Sequence, residues 1–185
     1  MSLGVIRKLL ATDILPDIED HTTKHSAVLI VIHGQECRIV MTEKPQTMEH
    51  HAGEISFPGG KISPADSDLL DTAIRETREE ISLHISRQDV IGQLKPVTTL
   101  NSGFTILPFV AVLDDMSDLQ PNEEVAEILH IPAIPFLKTI SPDPDPHHHS
   151  ISEMYTFSYQ SKIVWGASAR ILKQMADIFA QNKLI

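Results

Sequence analysis

Three glutamates stand close together in one short, strongly charged segment of the chain. At about 100° per residue on an α-helix, Glu76, Glu79 and Glu80 fall within one arc of about 100°. Acids three or four residues apart on a helix repel each other by about 0.2–0.5 kcal/mol per pair, so the arrangement does not favour stability. Hard divalent cations prefer several carboxylate oxygens, which these side chains could supply. The alternative interpretation is a solvated acidic face partnered by Arg75 and Arg78.

Two glycines, Gly59 and Gly60, directly precede the lead-in to this acidic helix. Glycine lets the backbone approach a ligand closely or adopt a positive φ. A glycine loop beside a helix N-terminus is suited to phosphate oxygens. Taken alone, the two glycines indicate an ordinary turn. Next to the acidic face, they indicate a site that binds a pyrophosphate through a cation.

The composition limits the kinds of partner. The 185 residues include 15 Lys and Arg against 25 Asp and Glu, a net charge of −10, which argues against non-specific nucleic-acid binding. No apolar run approaches the roughly 20 residues of a membrane span, and the single Cys37 excludes an internal disulfide. We therefore expect a cytoplasmic protein that binds neither nucleic acid nor membrane. An anionic substrate would need a positive mediator, for which a divalent cation is the usual choice.

The elements that must position the acids follow from hydrophobic periodicity and turn residues. The acidic helix is predicted over 68–81, with Asp66 or Ser67 as its N-cap. Strands and helices alternate irregularly, so we expect a mixed sheet covered by helices on both faces. Further helices are predicted over 3–11 and 165–180 and from Pro121 onward, strands over 26–32, 38–42, 54–57, 88–99, 105–113 and 155–159, and loops over 45–53 and 140–150.

The segment from Gly60 to Leu83 resembles the Nudix box, in which a glycine and an acid precede Arg-Glu-x-x-Glu-Glu. Residues 75–80 match that core. The segment departs from the usual box in three ways. The spacing from Gly60 to Arg75 is one residue longer, Ser67 occupies the usual upstream glutamate position between Asp66 and Asp68, and Ser82 replaces a glycine.

The resemblance implies a fold and a reaction. The implied fold is α/β, a Nudix-like α/β/α sandwich with a mixed β-sheet. We expect a single domain over 1–185, with an N-terminal extension over 1–25 and a C-terminal helix over 160–185 packed on the same domain. The implied reaction is hydrolysis of a nucleoside diphosphate linked to another moiety, with Mg²⁺ or Mn²⁺ as cofactor. A homodimer is an open expectation.

A second resemblance points to one branch of the family. The sequence from Ile39 to Lys44, followed by that from Gly53 to Gly60, is similar to a segment of coenzyme A pyrophosphatases. Lys44 stands where those proteins usually have arginine. It implies that coenzyme A or its derivatives are split to 4′-phosphopantetheine and adenosine 3′,5′-bisphosphate. Further likeness lies at 108–112, 122–125 and 163–172, so it extends over roughly residues 26–180.

The resemblance also implies roles for individual residues. Arg75 is expected to hold a carboxylate in place, and Lys44 to bind the 3′-phosphate. The general base stays open among Glu79, Glu80, Glu54 and Glu124. The expected site therefore comprises metal ligands Glu76, Glu79 and Glu80, catalytic residues Glu79, Glu80, Arg75 and Glu54, and substrate-binding residues Gly59, Gly60 and Lys44.

Alternative functions remain open on the sequence alone. One is a Nudix pyrophosphatase for an ADP-sugar, a dinucleotide or an oxidised nucleotide, because the residues of the box act on the diphosphate and do not distinguish the groups attached to it. Others are a non-catalytic nucleotide-ligand sensor on the same fold and an inert acidic scaffold. The histidines at 50–51 and 147–149 are interpreted as exposed loop residues rather than metal ligands.

Overall fold

A mixed β-sheet lies at the centre of the protein. The computed structural model describes residues 2–18, 24–48, 52–100, 102–144 and 154–185. The helices are α1 (Leu3–Leu10), α2 (Leu69–Ile81), α3 (Ala133–Leu137) and α4 (Gly166–Gln181), with a 3₁₀ turn at Arg87–Asp89. The strands are β1 (Lys24–His33), β2 (Arg38–Glu43), β3 (Ile55–Ser56), β4 (Gly59–Lys61), β5 (Val90–Gln93), β6 (Val97–Thr98), β7 (Phe104–Leu113), β8 (Glu127–Pro132), β9 (Ser141–Pro142), β10 (Tyr155–Tyr159) and β11 (Lys162–Val164).

Strand β1 organises the main sheet. It pairs with β7 in parallel and with β2 and β4 in antiparallel fashion. Strand β2 also pairs with β3 and β8, and β7 pairs with β5 and β6. Strands β9, β10 and β11 form a small second sheet. The main sheet contains both parallel and antiparallel pairs, as the irregular order of elements predicts.

The alternating side chains of β1 bury both faces of the sheet. Ala27, Leu29 and Val31 belong to the core cluster that includes α2. Ile30 and Ile32 belong to the cluster that includes α1, α3 and α4. Alternate residues of a strand point to opposite faces, so helices cover both sides of the sheet. The expected α/β sandwich with a mixed sheet is confirmed.

The N-cap of helix α2 lies one residue after Ser67 and two residues after Asp66, the two N-caps predicted from the sequence. The N-cap is Asp68, whose carboxylate accepts a hydrogen bond of 2.9 Å from the backbone N–H of Asp71. Asp66 is unsuited to capping because its carboxylate is taken up by the side chain of Arg75. At the other end, Ser82 adopts φ 58°, the left-handed conformation that usually favours glycine.

Three other boundaries differ from the sequence prediction. The segment after Pro121 forms no helix; after a turn it becomes β8, which pairs with all of β2 and so completes the backbone hydrogen bonds of that strand. The strand expected over 88–99 is two short strands separated around Pro96, which has no N–H to donate to a sheet. In the loop expected over 140–150, Ser141–Pro142 pairs with β10.

Within the described residues no helix is both long and apolar enough to cross a membrane.

Candidate active site

The Glu80 carboxylate is buried between α2 and the glycine strand β4. Its residue is only 7% exposed, and one oxygen accepts a hydrogen bond of 3.3 Å from the backbone N–H of Gly59. The pKa of Glu80 is raised to about 7, chiefly by burial and to a smaller extent by the nearby carboxylates of Glu76 and Glu124, against the lowering effects of the Gly59 N–H and Lys44. A negative charge here is unfavourable unless a cation shares the site.

Arg75 holds the carboxylates of the acidic helix in place. Its Nη1 donates to Glu76 Oε1 at 2.9 Å and to Glu79 Oε2 at 3.0 Å. Its Nε and Nη2 donate to the two oxygens of Asp66 at 2.8 and 2.9 Å. The planar guanidinium thus joins three carboxylates, and the positioning role expected for Arg75 agrees with this geometry.

The two upstream aspartates have separate structural roles. The Asp66 side chain is buried, and its hydrogen bonds, above all those from Arg75, lower the pKa of its carboxyl to about 2. Asp68 caps α2 and also pairs with Arg87 at 2.6 Å. Neither residue replaces the upstream glutamate of the usual box, because Asp66 holds the Arg75 side chain and Asp68 caps the start of α2.

The glycines form strand β4 rather than the loop that the sequence predicts. Gly60 pairs with Ala27 and Gly59 with Val28 of β1. A Cβ on Gly59, at φ +155°, would lie 2.2 Å from the backbone oxygen of Ala27. A Cβ on Gly60 would lie 2.5 Å from the carboxylate carbon of Glu76. Glycine at position 60 therefore lets β4 lie directly against the acidic helix, and glycine at position 59 lets it pair closely with β1.

Lys44 and Glu124 are brought to the same place by strand pairing and a turn. Lys44 Nζ lies 3.9 Å from Glu124 Oε2, and its charge also acts on Glu80. The backbone N–H of Asn122 donates to the Glu80 carbonyl at 2.9 Å, which fixes this turn against the end of α2. Hydrophobic periodicity does not predict that Glu124 lies beside Lys44. The sequence signal for this placement is the family likeness at 122–125.

The three helix glutamates differ in exposure and are partly occupied by Arg75. The Glu79 side chain is 49% exposed, Glu76 is 20% exposed, and Glu80 is buried. Within the described ranges, no three His, Cys, Asp or Glu side chains are close enough together to hold a metal ion. The predicted triad is therefore not preassembled, because Arg75 engages Glu76 and Glu79.

The chemistry of the donors nevertheless fits a hard divalent cation. Carboxylate oxygens are the donors that Mg²⁺ and Mn²⁺ prefer. Glu76 and Glu80 repel each other at short range, and a cation would relieve that repulsion. The Glu76 carboxylate can lie at this position only because Gly60 has no side chain.

The carbonyl of Glu54 accepts a hydrogen bond of 3.0 Å from the backbone N–H of Lys44, and its residue also borders a cavity. It lines a cavity of about 300 Å³ together with the start of α4, including Trp165 and Arg170. The histidines at 50–51 and 147–149, which the sequence predicts to be exposed loop residues, lie outside the described residues.

The fold and this arrangement of an arginine-bound glutamate helix against a glycine strand define a Nudix-type hydrolase. A profile of the NUDIX domain matches residues 23–151. The chain is 35% identical over 157 residues to the uncharacterized Nudix hydrolase NudL of Yersinia enterocolitica, covering 83% of this chain and 80% of that protein. The chain belongs to the Nudix family, and it is a Nudix pyrophosphohydrolase that acts on small pyrophosphate-containing molecules.

Solved structures agree on the fold. The MutT protein of Methanosarcina mazei Go1 superposes with a TM-score of 0.57 at 18% identity, covering 86% of this chain and 95% of that one. A bifunctional NMN adenylyltransferase/ADP ribose pyrophosphatase of Francisella tularensis, complexed with AMP and a Mn ion, superposes with a TM-score of 0.55 at 10% identity, covering 86% of this chain and 43% of that one. At these identities the superpositions establish the fold alone.

Proposed function

We propose that this protein hydrolyses coenzyme A or its derivatives to 4′-phosphopantetheine and adenosine 3′,5′-bisphosphate, within a single domain over residues 1–185. The observation that carries the hydrolytic site is the buried Glu80 carboxylate beneath β4, beside Glu76. The choice of coenzyme A rests on the likeness of the segment from Ile39 to Gly60 to coenzyme A pyrophosphatases.

The proposed cofactor is Mg²⁺ or Mn²⁺, held by Glu76, Glu79 and Glu80. When bound, the cation would neutralise charge that develops on the diphosphate and lower the pKa of water. The Francisella tularensis protein that shares this fold is complexed with a Mn ion, which is consistent with a divalent cation as cofactor. Arg75 keeps two of the proposed ligands oriented, so it acts through them rather than on the substrate.

The chain supplies positive charge and backbone to the diphosphate. We assign Gly59 and Gly60 to the wall of the diphosphate site, since the absence of a Cβ at these positions lets β4 lie against β1 and against the Glu76 carboxylate. Lys44 lies among the acids of the site, beside Glu124, so we assign it to oxygens of the diphosphate. This placement differs from the sequence expectation, in which Lys44 binds the more distant 3′-phosphate.

Proton transfer from the attacking water is assigned to the acidic helix. Glu79 is half exposed and reaches solvent, whereas Glu80 is buried. Glu54 lines the cavity together with β3, and we retain it as a catalytic candidate.

The test is hydrolysis by the purified protein with Mg²⁺ or Mn²⁺, with products identified by mass spectrometry. The panel contains coenzyme A, ADP-ribose, a dinucleoside polyphosphate and an oxidised nucleotide. We expect coenzyme A to be cleaved fastest, and Glu79→Gln and Glu80→Gln each to lower kcat by about 10²–10³. Glu123→Gln, an exposed acid beside the site, is the matched control. Faster cleavage of ADP-ribose contradicts the substrate, and full activity of both variants contradicts the site.

A further inference from the structure

A lysine of the small second sheet joins two carboxylates of the main sheet. Lys162 Nζ donates to Glu43 Oε2 and lies 3.0 Å from Glu127 Oε2. The Lys162 side chain is 21% exposed and that of Glu43 is 17% exposed, so their contact is mostly shielded from water. A lysine shared by two carboxylates forms a network, and charges in a network contribute more than an isolated exposed ion pair does.

The two carboxylates extend from neighbouring strands at directly opposite positions. Glu43 on β2 is paired in register with Glu127 on β8. Like charges directly opposite one another in an antiparallel pair are destabilising. Lys162 offsets this repulsion, because its ammonium group contacts both side chains. The charge of Lys162 therefore favours pairing at this end of β2 and β8.

A hairpin anchored in the core presents Lys162 to the main sheet. Strands β10 and β11 form this hairpin, in which Phe157 is opposite Val164 and both are fully buried. Tyr159 is opposite Lys162, and its ring lies 6.4 Å from that of Phe136 in an edge-on contact. The core thus fixes the position from which the Lys162 side chain extends.

The ends of β2 and β8 lead directly to the candidate active site. Lys44 directly follows Glu43, whose carbonyl accepts a hydrogen bond of 2.8 Å from the Ala126 N–H. Glu124 lies two residues before Ala126, and its Oε2 is 3.9 Å from Lys44 Nζ. Lys44 and Glu124 therefore extend from the two chain segments that Lys162 holds together.

Lys162 acts from the opposite face of the sheet. Met41, two residues before Glu43, belongs to the core cluster that includes α4. Alternate strand residues share a face, so Glu43 points to that side and Lys44 to the other, where its charge acts on Glu80. An effect of Lys162 on the reaction must therefore pass through the backbone of the strands.

We propose that Lys162 is a positioning residue of the active site, which keeps the ends of β2 and β8 paired and so keeps Lys44 and Glu124 beside Glu80. The inference rests on the proposed function, since it concerns how the lysine assigned to the diphosphate is held. It gives the small sheet, which carries none of the proposed metal ligands, an effect on substrate binding.

Steady-state hydrolysis of coenzyme A with Mg²⁺ tests the effect on the reaction. Lys162→Met removes the charge and keeps the length of the side chain, whereas Lys162→Arg keeps a positive charge. We expect Lys162→Met to raise KM about tenfold and to change kcat less than threefold, because it displaces a binding residue. Lys162→Arg should stay within threefold of the wild type in both constants. Lys173→Met, which removes a lysine paired with Asp177 on α4, is the matched control.

Two combined variants separate positioning from a general loss of stability. Lys162→Met/Glu43→Gln/Glu127→Gln contains neither the lysine nor the repulsion, so its KM should return to within threefold of the wild type. In a Lys44→Met background, Lys162→Met should change KM less than twofold, because the residue through which it acts is already absent. A full tenfold effect in that background would contradict the proposal.

Amide hydrogen exchange tests the strand ends without any turnover. In Lys162→Met the backbone N–H groups of Lys44 and Ala126, which form hydrogen bonds at the ends of β2 and β8, should exchange at least tenfold faster. The N–H of Leu29, in the central strand β1, should keep its exchange rate. Circular dichroism checks the fold, and Lys162→Gln replaces Lys162→Met in every comparison if the methionine variant is unfolded.

The outcomes separate this inference from the proposed function. An unchanged KM in Lys162→Met overturns the positioning role, and so do unchanged exchange rates at Lys44 and Ala126. Faster exchange at these two amides in a protein that cleaves no member of the substrate panel contradicts the hydrolytic proposal, while it supports the link between Lys162 and the strand ends.

Discussion

Replacing Asp66 by Asn tests the network that holds the acidic helix in place. The Asp66 side chain is 4% exposed and accepts hydrogen bonds from Arg75, from the Thr72 hydroxyl at 2.9 Å and from the Ser63 N–H at 2.8 Å. An Asn side chain has nearly the same shape, but it carries no charge and turns two N–H donors toward an arginine. Asp66→Asn therefore removes the ion pair while leaving the packing nearly unchanged.

The size of the effect follows from the Asp66 pKa. Arg75 and the other donors lower that pKa from 3.8 to about 2. At about 1.4 kcal/mol for each tenfold change in proton affinity, the ionised carboxylate contributes about 2 kcal/mol to the free energy of unfolding. Because the folded-state pKa is depressed, this contribution is fully present above pH 4 and is lost as the pH falls from about 4 to about 2.

Urea unfolding at pH 7, 5, 4 and 3 measures the difference between wild type and variant. We expect about 2 kcal/mol at pH 7 and 5, and a shrinking difference toward pH 3. Asp118→Asn, an exposed aspartate, should change the free energy of unfolding by less than 0.5 kcal/mol. A difference below 0.5 kcal/mol for Asp66→Asn at pH 7, or one that stays constant to pH 3, would refute the reasoning.

Three further predictions concern other parts of the chain. Gly60→Ala should lower kcat at least tenfold in a hydrolysis assay, because its Cβ would displace the Glu76 carboxylate. Ser82→Gly should raise the free energy of unfolding by about 0.5–1 kcal/mol in urea, because it relieves a left-handed serine. Burial lowers the pKa of His33 to about 4, with His130 at 2.9 Å adding to the effect. The free energy of unfolding of the wild type should therefore decrease as the pH falls from about 6.5 to about 4. In thermal unfolding, His33→Gln should make this pH dependence weaker.

Each of these predictions has its own contradicting result. Gly4→Ala in α1 is the control for the glycine strand, and equal kcat for both alanine variants would show that β4 tolerates a side chain. A loss of stability in Ser82→Gly would mean that the Ser82 hydroxyl, which donates to the Gln120 carbonyl at 3.2 Å, outweighs the strain. An unchanged pH dependence in His33→Gln would place the titration elsewhere.

Short-range patterns predicted most elements well. Helix α2 was expected over 68–81 and spans Leu69–Ile81, and α4 was expected over 165–180 and spans Gly166–Gln181. Long amphipathic helices and buried β-branched strands carry their signal within a dozen residues, so a sequence shows them directly. The segment after Pro121 carries no such local signal, because its strand β8 forms through pairing with β2.

The sequence by itself determined the acidic helix, the glycines beside it and the family. These depend on residue types at fixed spacing, and the spacing on a helix follows from backbone geometry alone. It could not show that Arg75 would take up Glu76 and Glu79 while Glu80 is buried, since that depends on Asp66 and on β4. Tertiary structure alone decided which carboxylate loses water and which lysine joins Glu43 to Glu127, because burial and charge pairing join residues far apart in the chain.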